Sequence, residues 1–202
     1  MKKQLLVTAL AASMSMPAMA DFLGVYAGID YNTNETRYNN HTDREDNLSG
    51  YVAFEHFIPL IPNVKIQYTD LDNHAFVNGE SSVTNGILYY EILDNGLVEV
   101  DLGLAYTDAE GYRDDASFGQ AYAAGKLHIP GVSMHAFADV IAGSLTSDDA
   151  INTEIGLAYT FNPDSLLLNV SVRGGYRYHQ IDLRKSPRQE TDSLFAGVEL
   201  HF

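Results

Sequence analysis

Residues 192–202 read DSLFAGVELHF, and this stretch at the carboxyl end decides the fold. Successive side chains of a β-strand point to opposite faces, so Leu194 to Phe202 present one apolar face and one face that carries Glu199 and His201. An alternating strand that ends on an aromatic residue is typical of the strand that closes a transmembrane β-barrel. Lipid leaves no sheet edge unsatisfied, so we expect this strand to pair with the first one. Phe202 is then the carboxyl-terminal assembly signal.

The amino end predicts export. Lys2 and Lys3 precede a short apolar run, and Ala18-Met19-Ala20 has the small-x-small pattern of a cleavage site. We therefore predict a signal peptide over residues 1–20 and one barrel domain over residues 21–202. The chain has no cysteine, which excludes disulfides and thiolate chemistry. A net charge of −15 argues against nucleic-acid binding.

Alternating stretches recur along the chain and predict ten antiparallel strands. Short connections rich in Pro, Gly and Asn follow every second strand, as in Asp94-Asn95-Gly96 and Pro130-Gly131. The other connections are mostly longer and polar, and they are predicted over residues 32–46, 70–82, 108–117, 147–150 and 182–191. An even strand number with short periplasmic turns and longer external loops is typical of outer-membrane barrels.

The predicted fold class is therefore all-β, an antiparallel transmembrane β-barrel of ten strands. Eight strands are the alternative, if two segments belong to loops. A soluble barrel or sandwich shows the same alternation, but the terminal Phe202, the export signal and the tyrosines near strand ends favour the membrane. The predicted aromatic girdles contain Tyr31, Tyr51, Tyr68, Tyr106, Tyr159, Tyr176 and Tyr178, with Phe54, Phe161 and Phe202.

Several segments resemble a family of uncharacterised outer-membrane barrel proteins of Gram-negative bacteria. These are AFEHFIPLIPNVKIQYTDLD at 53–72, LYYEILDNGLVEVDLG at 88–103 and FAGVELHF at 195–202, with shorter matches elsewhere. The resemblance implies the fold and the outer-membrane location. It implies no activity, because the family has no assigned catalytic or binding residues.

If the apolar faces meet lipid, the polar faces point into the lumen. The predicted lumen charges are Asp30, Glu55, Lys65, Glu91, Glu99, Asp101, Lys126, Asp139, Glu154, Arg173, Arg177 and Glu199. Buried charges must be paired or solvated. Small barrels have interiors that side chains can fill, so we expect a packed network. A narrow, cation-preferring pore is the alternative. Near the short-turn mouth, we expect Glu199 and His201 to pair with lumen cations such as Lys65 or Lys126.

The predicted loops contain charged residues without a catalytic motif. His41, His74 and His179 are close in sequence to Asp43, Asp72 and Asp182, but no G-x-S-x-G or H-E-x-x-H motif occurs. The loop acids have no ordered calcium-ligand spacing. Three basic residues of the last loop are candidates for contact with lipopolysaccharide phosphates: Arg184, Lys185 and Arg188.

The sequence thus predicts an integral outer-membrane barrel that is not an enzyme and has no metal or cofactor. Its expected role is structural or surface interaction, as a monomer in contact with lipid, lipopolysaccharide and, through the closing strand, the barrel-assembly machinery. A passive cation channel is the alternative, and a hydrolase at the loop rim is a distant one.

Overall fold

The computed structural model describes residues 23–58, 60–76, 79–144, 146, 148–165 and 167–202. The predicted signal peptide, 1–20, lies outside the described residues. Ten strands form a closed barrel. They are β1 Leu23–Tyr38, β2 His41–His56, β3 Asn63–Asp70, β4 Ser82–Asp94, β5 Val98–Glu110, β6 Asp115–His128, β7 Met134–Ala142, β8 Asp149–Thr160, β9 Asn169–Asp182 and β10 Gln189–His201.

Every strand pairs antiparallel with its neighbours in sequence, and β10 returns to β1. At this seam Phe202 donates its backbone N–H to Val25 O at 2.9 Å, and Val25 N–H donates to Phe202 O at 3.1 Å. The predicted pairing of the closing strand with the first is therefore confirmed. Ten strands are confirmed over eight.

The prediction that residues 32–46 form a loop is wrong. β1 and β2 continue through it for 16 residues each and meet at a tight turn, Asn39-Asn40. Both asparagines have positive φ, 49° and 64°, which suits a two-residue hairpin turn. A membrane-crossing strand needs only about 9–11 residues. The polar composition therefore marks a hairpin that projects past the apolar belt, where both faces of a strand can be polar.

Two other predicted loops are shorter than expected for the same reason. β5 continues to Glu110 and β6 begins at Asp115, while β9 continues to Asp182 and β10 begins at Gln189. We call this end of the barrel the long-loop end. The opposite end, which holds the turns after β2, β4, β6 and β8, is the short-turn end.

The outer face of the barrel is an apolar belt. Large hydrophobic side chains that are 40% or more exposed include Leu23, Ile29, Val52, Ile66, Leu88, Leu104, Ile155, Leu157 and Leu194. The exposed aromatic residues include Tyr31, Phe54, Tyr68, Tyr106, Tyr159, Phe161, Tyr176 and Phe202. A closed sheet with this belt satisfies its backbone internally and faces lipid. The chain is a β-barrel membrane protein.

No helix within the described ranges is long and apolar enough to cross a bilayer.

The prediction that Tyr51 belongs to an aromatic girdle is wrong. Tyr51 lies in register with Gly28, on the inward face of β2. The alternation of Ala53 and Glu55 with Val52 and Phe54 already places Tyr51 on the inward side, so strand parity outweighs the general preference of tyrosine for interfaces.

An apolar cluster closes the long-loop end of the interior. It consists of Leu71, Val83, Ala109, Phe118, Ala150, Ile181 and Leu183, all at most 3% exposed. Leu71 and Leu183 come from the connections that follow β3 and β9, so these loops turn into the barrel mouth. Tyr112 packs above them, with its ring centroid 5.1 Å from Tyr38 and 5.2 Å from Phe76. This apolar cluster was not predicted, because the loops that contribute Leu71 and Leu183 are mostly polar in sequence.

Candidate functional site

The lumen is the candidate site, and its centre is Arg177 on β9. Its side chain is 1% exposed. Arg177 Nη2 lies 2.7 Å from Asp30 Oδ2 on β1, and its Nε lies 2.8 Å from Glu154 Oε2 on β8. Arg177 also donates to Asn32 Oδ1 at 2.6 Å and to Ser49 Oγ on β2. One guanidinium therefore joins four strands across the interior.

Arg173 forms a second layer toward the short-turn end. It is paired with Glu154, and its Nε lies 3.2 Å from Asp30 Oδ1. Its Nη1 donates to Tyr51 Oη at 3.0 Å, and Tyr51 in turn donates to Glu199. The guanidinium carbon lies 4.8 Å from the Phe137 ring centroid, which adds a cation–π contact. This layer fills the lumen with paired charge and aromatic rings.

Another ion pair of the lumen joins Lys65 and Asp139. Lys65 Nζ lies 2.6 Å from Asp139 Oδ2, across the barrel from β3 to β7. Its ammonium also faces the rings of Tyr51 and Tyr122, at 5.1 and 5.7 Å from their centroids. Beside it, Ile87, Tyr89, Ala105, Tyr122 and Ile141 form a second apolar cluster.

The short-turn mouth holds a further ionic group. Lys126 Nζ lies 2.9 Å from Glu99 Oε2, and His128 Nε2 lies 2.5 Å from Glu99 Oε1. Glu199 pairs with a lumen cation as predicted, but the cation is Arg173, whose Nη1 lies 3.9 Å from Glu199 Oε2. Glu199 also accepts a hydrogen bond from Tyr51, and the His201 ring stacks on Tyr26 with centroids 4.0 Å apart. Strand parity placed these residues inward, but it could not choose among partners on ten strands.

Three of the predicted lumen carboxylates differ from the others. Glu55, Glu91 and Asp101 have no ion-pair partner within the described part of the chain. Glu55 accepts a hydrogen bond from Tyr89 Oη at 2.7 Å. Glu91 lies directly opposite Asp101 in the β4–β5 register, just before a β-bulge. These residues share one wall of the lumen, toward the short-turn end.

Neutral polar residues fill the lumen between Arg177 and the apolar seal. Asn34 donates to Asn47 Oδ1 at 2.9 Å, and Thr107 bridges Asn85 and Gln120 at 2.8 and 2.7 Å. His179 is 1% exposed within this layer, and neither ring nitrogen has a hydrogen-bond partner among the described residues. His179 is close to Asp182 in sequence, but β9 carries it into the barrel and away from the loop rim.

Two cavities interrupt the packing. An internal cavity of about 80 Å³ lies between Lys65, Asp101, Asp139, Arg173 and Glu199. A wider vestibule of about 410 Å³ occupies the short-turn mouth. Tyr26, Lys126, His135 and Glu199 line both, so the two meet at these side chains. The internal cavity has room for on the order of five water molecules.

At the loop rim, His74 and Asp72 are close in sequence but contact different groups. His74 Nε2 lies 3.6 Å from Glu45 Oε1, on β2. Asp72 instead accepts the Ser81 backbone N–H at 2.6 Å. Burial raises the pKa of the Asp72 carboxyl above its ordinary value, although the Ser81 N–H opposes the shift. These contacts organise the β3–β4 connection.

The three basic residues of the last loop each face an acid. Arg184 lies 3.6 Å from Asp148, Lys185 lies 3.8 Å from Asp114, and Arg188 lies 3.0 Å from Asp182. All three side chains are at least half exposed. Their predicted contact with lipopolysaccharide stays a prediction. In the described ranges, no group of three or more His, Cys, Asp and Glu side chains could hold a metal ion.

No protein-family model matches the chain, and no curated protein matches it. Among solved structures, the chain is similar to neisserial surface protein A, at 16% identity over 87% of this chain and 95% of that chain, with a TM-score of 0.43. It is similar to Ail, the attachment invasion locus protein of Yersinia pestis, at 12% identity over 90% and 100%, with a TM-score of 0.40.

The translocator domain of the autotransporter NalP from Neisseria meningitidis is similar at 13% identity over 97% of this chain and 95% of that chain, with a TM-score of 0.35. These neighbours are outer-membrane β-barrels of Gram-negative bacteria. Likeness at such low TM-scores carries no argument about what this chain does. The resemblance to an uncharacterised barrel family stays a prediction.

The tyrosines of the lumen were not predicted from the sequence. Tyr26, Tyr51, Tyr89 and Tyr122 all line the internal cavity, and each bonds or stacks with a charged or aromatic group there. The alternation of side chains along each strand, which can be read in the sequence, places these tyrosines on the inward face. Tyrosine is common at membrane interfaces as well as in polar interiors, so residue type alone pointed to the wrong face for Tyr51.

Proposed function

We propose that the protein is an integral outer-membrane barrel with a non-conducting lumen. The observation that carries this proposal is Arg177, whose guanidinium bonds to side chains of β1, β2 and β8 in the middle of the interior. The apolar cluster around Leu71 and Leu183 supports it, because it adds a second barrier at the long-loop end. Water and ions would have to displace both layers to cross.

Planar-bilayer recording of the purified barrel tests this proposal. We expect no unit conductance steps, with a porin reconstituted in the same lipid as the positive control. Stable steps with cation preference would contradict the closed lumen and favour the alternative, a narrow cation channel. That alternative draws on the excess of lumen carboxylates over lumen cations.

We further propose that the long-loop end faces the outside of the cell and acts in surface interaction. The β1–β2 hairpin supports this role, since it projects past the belt with Glu35, Arg37, Arg44 and Asp46 on its outer face. A peptide epitope inserted between Asn39 and Asn40 should be detected on intact cells. An epitope at the Asn95-Gly96 turn should be detected only after the outer membrane is permeabilised, and the opposite pattern would reverse the orientation.

The partners proposed are lipid, lipopolysaccharide and, through Phe202, the barrel-assembly machinery, with the chain acting as a monomer. We propose no enzymatic activity; a rim hydrolase stays a distant alternative. Replacing Arg184, Lys185 and Arg188 together with alanine should reduce lipopolysaccharide co-purification. Unchanged co-purification would remove these residues from the proposed contact.

A further inference from the structure

The long-loop end holds one cation that differs from all the other described cations. Every other lysine and arginine in the described ranges is ion-paired with an aspartate or a glutamate. Arg113, in the connection between β5 and β6, is exposed, and its side chain has no ion-pair or hydrogen-bond partner among the described residues. Its guanidinium N–H donors are therefore available to a ligand.

Arg113 lines a groove at the rim of the barrel, which we call the rim groove. Its walls come from the tip of the β1–β2 hairpin and from the connections that follow β3 and β5. Its volume of about 350 Å³ falls within the range of about 300–1,000 Å³ that is usual for small-molecule sites. His41 and Asp43 alternate in step with the buried Asn47 and Ser49, so the groove lies on the side of the hairpin that faces the barrel axis.

The floor of the rim groove is aromatic. Tyr38 and Phe76 line it, with ring centroids 5.8 Å apart in an edge-on arrangement. Tyr112, which is 2% exposed, packs against both rings, and its hydroxyl donates to Leu71 O at 3.1 Å. Phe76 is further held by its backbone N–H, which donates to Asn73 O at 3.1 Å. The floor is thus fixed before a ligand arrives, which lowers the entropic cost of binding.

Polar groups of opposite charge stand around this floor. Asp43 and Arg113 line the same groove but form no ion pair with each other, and Asp43 Oδ1 accepts the Arg44 backbone N–H at 2.8 Å. A ligand that fits these walls has an anionic group for Arg113, hydroxyl groups for Asp43 and an apolar face for the aromatic floor. A polyanion fits poorly, because Asp43 would repel its further charges.

We propose that the rim groove binds a pyranose sugar that carries a single carboxylate. Arg113 donates to the sugar carboxylate with its planar fork of N–H groups, Asp43 accepts hydrogen bonds from sugar hydroxyls, and the apolar face of the ring packs on Phe76. This inference rests on the proposed role of the long-loop end in surface interaction, and it names the ligand class. Because the groove faces the barrel axis and not the surrounding membrane, the sugar belongs to an external saccharide and not to lipopolysaccharide.

Ligand-observed NMR with the purified barrel in detergent micelles tests the site. The probes are glucuronic acid, galacturonic acid and N-acetylneuraminic acid, with glucose as the neutral counterpart. At least one acid should bind about tenfold or more tightly than glucose, since hydrogen bonds to charged groups contribute more than neutral ones. Arg113→Gln should abolish this preference, because the amide keeps a donor without the charge. Phe76→Ala should weaken the binding of the acid and of glucose alike.

Arg44→Gln is the matched control, because Arg44 is an exposed arginine on the outer face of the same hairpin. Its affinity for the acid should equal that of the wild type, and the electrophoretic shift between folded and unfolded barrel verifies that each variant folds. If no acid binds more tightly than glucose, or if Arg113→Gln keeps the preference, the proposal is overturned. Displacement of the acid by purified lipopolysaccharide would overturn the external origin of the sugar.

The outcome is separable from that of the proposed orientation. The epitope experiment on intact cells reports which end faces outward, whereas NMR reports on binding to the purified barrel. Binding that Arg113 controls, together with a hidden epitope at Asn39-Asn40, would retain the site and reverse the orientation. An accessible epitope without binding would retain the orientation and reject the site.

Discussion

Arg177 and Glu154 lie directly opposite each other on β9 and β8, and two guanidinium nitrogens contact the same carboxylate oxygen, Oε2, at 2.8 and 2.5 Å. The pair is almost inaccessible, with side-chain exposures of 1% and 6%. A buried ion pair does not guarantee net stability, but removing one partner leaves an uncompensated charge. The network of charges in the lumen therefore depends on this contact more than on any exposed ion pair.

Replacing Arg177 with methionine should lower the free energy of unfolding by about 3–5 kcal/mol, since Asp30 and Glu154 lose a shared cation. The matched control is Arg44→Met, because Arg44 Nη2 lies 2.6 Å from Glu35 in a pair whose arginine is 76% exposed. That change should cost no more than about 1 kcal/mol. Urea unfolding in vesicles, followed by the electrophoretic shift between folded and unfolded barrel, measures both. Equal losses would contradict the central role of Arg177.

The apolar cluster at the long-loop end should stabilise the fold as a hydrophobic core does. Leu183 is 2% exposed in that cluster, so Leu183→Ala should cost about 2–5 kcal/mol through lost burial and the cavity left behind. Leu60, in the turn after β2, is 90% exposed, and Leu60→Ala should change stability by no more than about 0.5 kcal/mol. The same unfolding assay compares them. A neutral Leu183→Ala would mean that the loops do not hold the cluster together.

Gly175 allows two strands to approach closely inside the barrel. A Cβ at this position would lie 2.1 Å from the Ile155 carbonyl oxygen and 2.7 Å from Gly156 Cα, both backbone atoms that cannot move aside cheaply. Gly175→Ala should therefore destabilise the barrel by about 1–3 kcal/mol. Gly119→Ala is the control, since a Cβ there meets nothing within 4 Å. If both variants unfold at the same urea concentration as the wild type, the close approach is not required.

The Asp72 carboxyl should make the β3–β4 loop sensitive to pH. Burial raises its pKa in the folded state above the ordinary value of 3.8, so the folded loop favours the protonated form. The charged Asp72 carboxylate therefore destabilises the folded loop at neutral pH. This destabilisation disappears as the pH falls through the pKa of the folded state to below 3.8.

Asp72→Asn keeps an oxygen that can accept the Ser81 N–H, so it should be more stable than the wild type at neutral pH. The difference should shrink toward zero below the ordinary pKa. Urea midpoints between pH 3 and 7 provide the measurement, with Asp164→Asn as the exposed control. A difference that is the same at every pH would show that the charge of Asp72 is not its cause.

Much of the fold could be predicted because a barrel strand repeats every two residues. The alternation in 194–202 gives the inward and outward faces directly, and the terminal Phe202 indicates where the sheet closes. Strand ends were harder to predict. Asn32 to Asp46 is polar on both faces, and polarity alone does not separate a loop from a hairpin that extends into water. The φ values of Asn39 and Asn40 decide between them.

By itself, then, the sequence determined the closure of β10 on β1 and the inward or outward direction of side chains along each strand, because these follow from local periodicity. It favoured ten strands and left eight open, and the closed sheet decided for ten. Only the tertiary structure decided which charges meet. Arg177 could have faced any of eight lumen carboxylates, and the register places it opposite Glu154 while leaving Glu91 opposite Asp101. Pairing across a barrel depends on the stagger of all ten strands. That stagger is a property of the closed sheet, and no single strand encodes it.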